Sequence, residues 1–298
     1  MNLDQLLNNA SHQSNKIVAL AAAADPEVVE AVKLAVEKNL ASFILYGDQK
    51  VINEMLTMHQ ITPSETVRVI HASSDQEASK AAVTAVSCGE ADVLMKGMVS
   101  TSVILKEVLN KDYGLRKGKV LSHVAAFDVP GYERLIFVTD SGMNIEPDLS
   151  QKIEITKNAV GVALTVGITI PKVAALAAVE VVNPAMQATL DAAALTQMNA
   201  RGQITDCIID GPLALDNAIS SEAAEHKGIK SHVAGNADIL LVPSIEVGNA
   251  LYKSLVYFAN ARVGGVIAGA KAPIVLTSRA DSAQSKVYSI ALAVNSTR

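Results

Sequence analysis

The residue types able to do chemistry gather in four short segments, each beside a run of apolar residues. Leu276-Thr277-Ser278-Arg279-Ala280-Asp281-Ser282 sets a hydroxyl, a guanidinium and a carboxylate within four positions, Ser278 to Asp281. Arginine holds phosphate through two parallel N–H donors, so the trio suits acyl or phosphoryl transfer. Asp281, with Gln284 three residues on, equally makes an N-cap box. Lys96-Gly97-Met98-Val99-Ser100-Thr101 joins a strand pattern to a helix pattern. A glycine turn followed by hydroxyls leaves backbone N–H groups at the positive end of a helix, a ready anion site. Ser100 also fits a plain structural cap. Asp210-Gly211-Pro212-Leu213, with Asp216 beyond it, follows a third apolar run, although Gly-Pro is also common loop punctuation. The fourth segment runs from Gly235-Asn236-Ala237-Asp238 through Pro243 to Gly248-Asn249 and Lys253. Asn249 and Lys253, at i and i+4, share a helical face where they grip a ligand or simply cap and solvate.

Other chemistries lack their residues. The chain has no GxxxxGK[ST], GxGxxG or GxSxG, and no HxH, HExxH or Cys/His cluster to propose a metal. Cys88 and Cys207 stand far apart and are expected to be two buried, reduced thiols. Half of the 298 residues are hydrophobic, Trp is absent, and the net charge is −5. A large aliphatic core follows, and a nucleic-acid surface is disfavoured. The stretch from Ala159 to Pro171 falls short of the ~20 residues a membrane span needs. The opening MNLDQLLNNASHQSN lacks a basic region and apolar run, so the expectation is a soluble, cytoplasmic protein without membrane or nucleic-acid partners.

Elements that position these segments alternate along the chain. Strands are expected at Lys16–Ala21, Phe43–Tyr46, Thr66–Ala72 and Ala91–Met95, with helices from Pro26, about Asp48, Asp75 and about Ser100. Such alternation implies a mostly parallel sheet covered by helices. Around Val120–Asp140 two strand runs flank Pro130-Gly131, an antiparallel hairpin pattern. A helix over Leu149–Thr165, strands over Val173–Val179, Thr205–Asp210 and Ala237–Pro243, and helices over Pro184–Ala200, near Leu213–His226 and from Val247 follow. Strands Val263–Ile267 and Pro273–Thr277 and a helix from Asp281 close the chain. The expected organisation is two α/β domains, residues 1–120 with 267–298 and residues 121–266, sharing a cleft. Asp206 and Asp210, placed in one strand, would lie about 13 Å apart and could not hold one ion together.

The stretches VLMKGMVST, FVTDSGMNIEPDL, IIDGPLALDNAIS, AGNADILLVPSIEVGNALYKSLVYFA and GAKAPIVLTSRADS, in this order, resemble the phosphate acetyl/butyryltransferase family, its butyryl branch most closely. The resemblance implies two α/β/α domains of isocitrate/isopropylmalate dehydrogenase-like architecture with an interdomain active site. It also implies a homo-oligomer built from dimers, acyl-CoA and phosphate as partners, no cofactor beyond the coenzyme A ester substrate, and no metal. Ser278 and Arg279 match the reacting Ser-Arg pair of acetyl-type members. An Arg of those members falls on Lys106 here, which keeps the charge and loses the fork. Their catalytic Asp falls on Ser285, so Asp281 is the nearest carboxylate.

The reaction so implied is acyl-CoA plus phosphate giving acyl phosphate plus CoA. Ser278 would serve the oxyanion, Arg279 the phosphoryl oxygens and Asp281 the thiol proton. Lys96, Gly97, Ser100, Thr101 and Lys106, with Gly211, Pro212, Asp216, Asn236, Asn249 and Lys253, would bind substrate. Butyryl is the favoured acyl group and acetyl the alternative. A metal- and NAD-dependent decarboxylating dehydrogenase and a non-catalytic ligand-binding protein are the readings from other classes.

Overall fold

The computed structural model describes residues 1–13, 15–278 and 281–297, so Arg279 lies outside the described residues. Contacts divide the chain into two units, Met1–Gly118 with Val263–Arg298, and Lys119–Arg262. In chain order the first unit opens with α1 (Leu3–Ser11), β1 (Ile17–Ala21), α2 (Pro26–Glu37), β2 (Ser42–Gly47), α3 (Gln49–Met58), β3 (Val67–His71), α4 (Asp75–Ser87), β4 (Val93–Lys96) and α5 (Thr101–Val108). The second unit carries β5 (Ser122–Asp128), β6 (Ile136–Thr139), α6 (Leu149–Thr165), β7 (Lys172–Leu176), α7 (Gln187–Ala200), β8 (Ile208–Leu213), α8 (Leu215–Ile219), α9 (Ser221–His226), β9 (Ile239–Leu241) and α10 (Ile245–Tyr257). The chain then adds β10 (Arg262–Ala268), β11 (Ile274–Val275) and α11 (Ala283–Asn295) to the first unit.

Strand order in the first unit is β3-β2-β1-β4-β11-β10, parallel except where β10 meets β11. Its central strands β1, β2 and β4 are buried on nearly every residue, as continuous apolar runs in parallel sheets are. α11 is buried from Lys286 to Asn295 and packs against α1 and α2, so this helix is covered nearly all round. Asp25 caps α2 through the Val28 N–H at 2.9 Å, with Pro26 at the first helical position. In the second unit the β5–β6 hairpin is antiparallel, and β6-β9-β7-β8 run parallel.

Several expectations change. β8 begins at Ile208 and runs through Leu213, which puts Gly211 and Pro212 inside a strand and leaves Asp206 outside it. As the outermost strand in this unit, β8 tolerates a proline that lacks an N–H to donate. The helix expected near Leu213–His226 is two short ones, because Ser220 is extended and caps the second through the Ala223 N–H. β7 stops at Leu176. Cys88 is exposed at the end of α4 and is not a core thiol. Cys207 is partly covered, and burial pushes its thiol up to about 11. Among the described residues no helix is long and apolar enough to cross a membrane.

Candidate functional site

Strand register brings two of the candidate segments together in the first unit. β11 pairs in parallel with β4, Ile274 opposite Leu94 and Val275 opposite Met95. The segments that follow, Lys96–Ser100 and Leu276–Ser278, therefore leave the carboxyl ends of adjacent strands, which lie about 5 Å apart at strand spacing. Ligands of open α/β sheets bind at such carboxyl ends.

Each loop is braced by a buried lysine. Lys96 is the last residue of β4, and its ammonium donates to the carbonyls of Gly97 at 3.0 Å and Val99 at 3.1 Å. Lys96 thus fixes the turn from within. Lys286, buried in α11, donates its ammonium to the Asp281 carbonyl.

Gly97 follows β4 and lies tight against the backbone at the end of its parallel neighbour β1. A Cβ there would lie 2.2 Å from the Ala22 carbonyl oxygen and 2.8 Å from that of Ala21. The Gly97 and Met98 N–H groups donate to those same carbonyls, each at 2.8 Å, so they are not available to an anion. The donors facing outward begin later, in the first turn of α5, where N–H groups have no partner inside the helix. Ser100 caps that helix through the Val103 N–H, and its hydroxyl lies 3.1 Å from that of Ser102. Ser100 and Thr101 are exposed, and so is Lys106 in the last turn.

The second loop is held by a reciprocal pair. Asp281 Oδ2 accepts the Ser278 N–H at 2.7 Å, while the Ser278 carbonyl accepts the Asp281 N–H at 3.2 Å. Asp281 is not the cap of α11. Ser282 holds that place, accepting the Ser285 N–H at 3.2 Å, so the expected Asp281–Gln284 box is absent. A shift of one residue frees the Asp281 carboxylate for the loop. Ser285, where acetyl-type members are expected to carry their Asp, pairs its hydroxyl with Ser282 at 3.2 Å.

Second-unit candidates scatter. Asp216 is exposed in α8 and bound by Lys227 at 2.9 Å; Lys227 also pairs with Glu180. The hydrogen bond from Lys227 holds the Asp216 carboxyl below its usual range, which makes it a poor proton acceptor. Glu246 is also held low, by its own backbone N–H and the Ser244 hydroxyl. Asn236 precedes β9, and so sits at the amino end of the parallel strands, away from their carboxyl ends. Asn249 and Lys253 are both exposed on α10. Gly248 in that helix is buried, and a Cβ there would meet the Asp140 carbonyl oxygen at 2.6 Å.

Sequence reasoning missed one constellation in the second unit. Asp140, buried after β6, accepts the N–H groups of Gly142, Met143 and Asn144 at 2.9, 3.0 and 3.1 Å, and the Asn144 side-chain amide at 2.6 Å. That clamp sets the buried Ser141 hydroxyl 2.8 Å from His123 Nδ1. The Tyr252 ring lies against His123 and Phe127. The legible signal was Asp-x-x-x-Asn after a strand, inside the segment FVTDSGMNIEPDL. A buried Lys152–Asp191 pair, 2.6 Å apart, was missed as well. It lines a hollow of about 10 Å³ at the ends of β7 and β9, room for roughly one water.

Residues 66–294 match the family model described as phosphate acetyl/butaryl transferase. The chain belongs to this family. A phosphate acetyl/butyryltransferase relative in Bacillus subtilis, named probable phosphate butyryltransferase, is 59% identical over 99% of this chain and 97% of its own. A Thermotoga maritima phosphate acetyltransferase is 45% identical over 98% of each chain. Among solved structures, a branched-chain phosphotransacylase from Enterococcus faecalis V583 superposes with a TM-score of 0.82 at 36% identity, covering 94% of this chain and 98% of that one. The family members so named differ in the acyl group in their names.

Proposed function

We propose that the protein transfers a short-chain acyl group reversibly between coenzyme A and inorganic phosphate, with butyryl as the favoured group. Family membership along the chain supports the reaction, and the relative at 59% identity, named for butyryl, supports the acyl group. The structural observation that supports the reading is the parallel pairing of β4 with β11, the strands that lead to Ser100-Thr101 and to Ser278.

Phosphate is held by the first-turn N–H groups of α5, by the hydroxyls of Ser100 and Thr101, and by Arg279. A helix N-terminus stabilises an anion by about 0.3–1 kcal/mol at an exposed site. A phosphate oxygen attacks the thioester carbonyl, the carbon–sulfur bond breaks, and CoA leaves as the thiolate. Ser278 is exposed, and its hydroxyl donates to the carbonyl oxygen as negative charge develops there. Asp281 fixes the Ser278 backbone through its Oδ2. In the opposite direction the CoA thiol is at most a few per cent thiolate at about pH 7, as a free cysteine thiol of pKa near 8.5 is, so a proton acceptor helps. Asp281 is the carboxylate at hand for that task, through its other oxygen. The protein works as a homo-oligomer built from dimers.

The test is phosphate-dependent release of CoA thiol by purified protein across acetyl-, propionyl-, butyryl- and branched-chain acyl-CoA. Butyryl-CoA is expected to have the highest kcat/KM, with no added metal and no loss on adding a chelator. Equal thiol release without phosphate would sink the reaction; a higher kcat/KM for acetyl-CoA would sink the acyl assignment alone.

A further inference from the structure

Short-chain acyl-CoA esters share every polar group and differ in the apolar tail of the acyl chain, so choosing among them is work for apolar side chains. The carboxyl ends of β4 and β11 offer few. Of residues 97–101 and 276–278, the exposed ones are Met98, Ser100, Thr101 and Ser278, and three of these bear hydroxyls. Met98 is the large apolar side chain among them, 39% exposed between the buried Gly97 and Val99.

A single exposed methionine is ordinary on a protein surface, and it is the place of this one that matters. Met98 and Ser278 each come three residues after a directly paired couple, Met95 and Val275, on adjacent parallel strands. The Met98 main chain is fixed. Its N–H donates to the Ala22 carbonyl at 2.8 Å, one residue after Gly97 makes the same bond to Ala21. The buried Lys96 ammonium holds the carbonyls of the residues on either side, Gly97 and Val99. The backbone beside it continues from β1 through Ala21, Ala22 and Ala23, whose side chains are single methyl groups. A long, unbranched thioether on a fixed backbone, beside small neighbours, suits a short aliphatic chain of irregular fit.

We propose that Met98 is a specificity-determining residue, its side chain lying along the acyl tail of the CoA ester and favouring butyryl over acetyl. This rests on the acyl-transfer reading and names the residue that chooses the acyl group within it. Butyryl carries two methylenes more than acetyl. A well-built apolar pocket discriminates by about tenfold or more for each methylene it covers. One side chain along one flank covers part of both, so Met98 supplies about tenfold in all.

The test is phosphate-dependent thiol release from butyryl-CoA and from acetyl-CoA by wild type, Met98→Ala and Met98→Leu. The quantity read is kcat/KM for butyryl-CoA divided by kcat/KM for acetyl-CoA. Met98→Ala should lower that ratio about tenfold, whereas Met98→Leu, of similar volume, should keep it within about threefold of wild type. The bonds that fix Met98 are main-chain, so both variants should melt as wild type does, which thermal melts check. A residue that only supported its loop would slow both esters alike and leave the ratio unmoved. An active wild type whose ratio Met98→Ala does not move therefore overturns the role of Met98 alone. A ratio that falls as far in Met98→Leu as in Met98→Ala overturns it too, because apolar cover would then not be what sets the choice. A wild type that releases thiol from neither ester, or equally well without phosphate, overturns the acyl-transfer reading and the role of Met98 with it.

Discussion

At the scale of single residues, Asp281 and Ser282 divide work that adjacent positions made hard to separate. Ser282 caps α11, so Ser282→Ala should lower stability by about 0.5–2 kcal/mol, read from urea unfolding. Asp281 holds the Ser278 N–H. Asp281→Asn keeps an acceptor in that place, whereas Asp281→Ala removes it and lets Ser278 drift. If holding Ser278 is the main job, Asn should stay within about tenfold of wild type, a cost under ~1.4 kcal/mol. Ala should then lose about 10²-fold, as misplaced reacting groups do. A loss of about 10²–10⁴ already in the Asn variant, confined to the CoA-acylating direction, would instead make Asp281 the general base. That loss should shrink as pH rises toward the thiol's own pKa, where thiolate forms unaided. Arg279→Lys keeps the charge and removes the fork, so a fall of about 10²–10³ in kcat is expected with folding unchanged.

At the scale of elements, the candidate site depends on how closely the end of β4 lies against the end of β1. Gly97→Ala would place a methyl group 2.2 Å from the Ala22 carbonyl, a backbone atom that cannot swing aside. The ends of the two strands must then separate, which should cost about 1–3 kcal/mol and raise the KM for phosphate. Gly161→Ala is the matching control. Gly161 lies in α6 with nothing within 4 Å of an added Cβ, so the change should stabilise by about 1 kcal/mol through helix propensity. Thermal melts and phosphate titrations of the two variants check both expectations. A Gly97→Ala protein with wild-type melting temperature and phosphate KM would show that the loop tolerates displacement.

At the scale of the whole molecule, the first unit is made from both ends of the chain. β11 pairs with β4, and α11 packs against α1 and α2. A fragment of residues 1–118 therefore lacks the strand beside β4 and the helix that covers α1 and α2. It should show no cooperative thermal transition, while residues 119–262, which keep every strand of their unit, should melt cooperatively. A cooperative melt of the 1–118 fragment would mean that its core closes without α11.

The sequence by itself determined the alternation of elements, because strand and helix periods and end signals such as Asp25-Pro26 are local. It also determined the family, because ordered segments survive as text. That Ser278 and Thr101 follow strands was legible as well, because each comes shortly after an apolar run. Only the tertiary structure decided that β11 lies against β4, since pairing of strands about 180 residues apart follows from packing and not from either strand's own residues. It decided too that Lys96 points inward to brace its loop, and that Ser282 rather than Asp281 caps α11. Near a helix start several residues can cap, and a one-residue difference in the backbone's turn selects among them. The His123–Ser141 contact was invisible for a related reason. Two polar residues 18 positions apart meet only because β5 and β6 fold back as a hairpin.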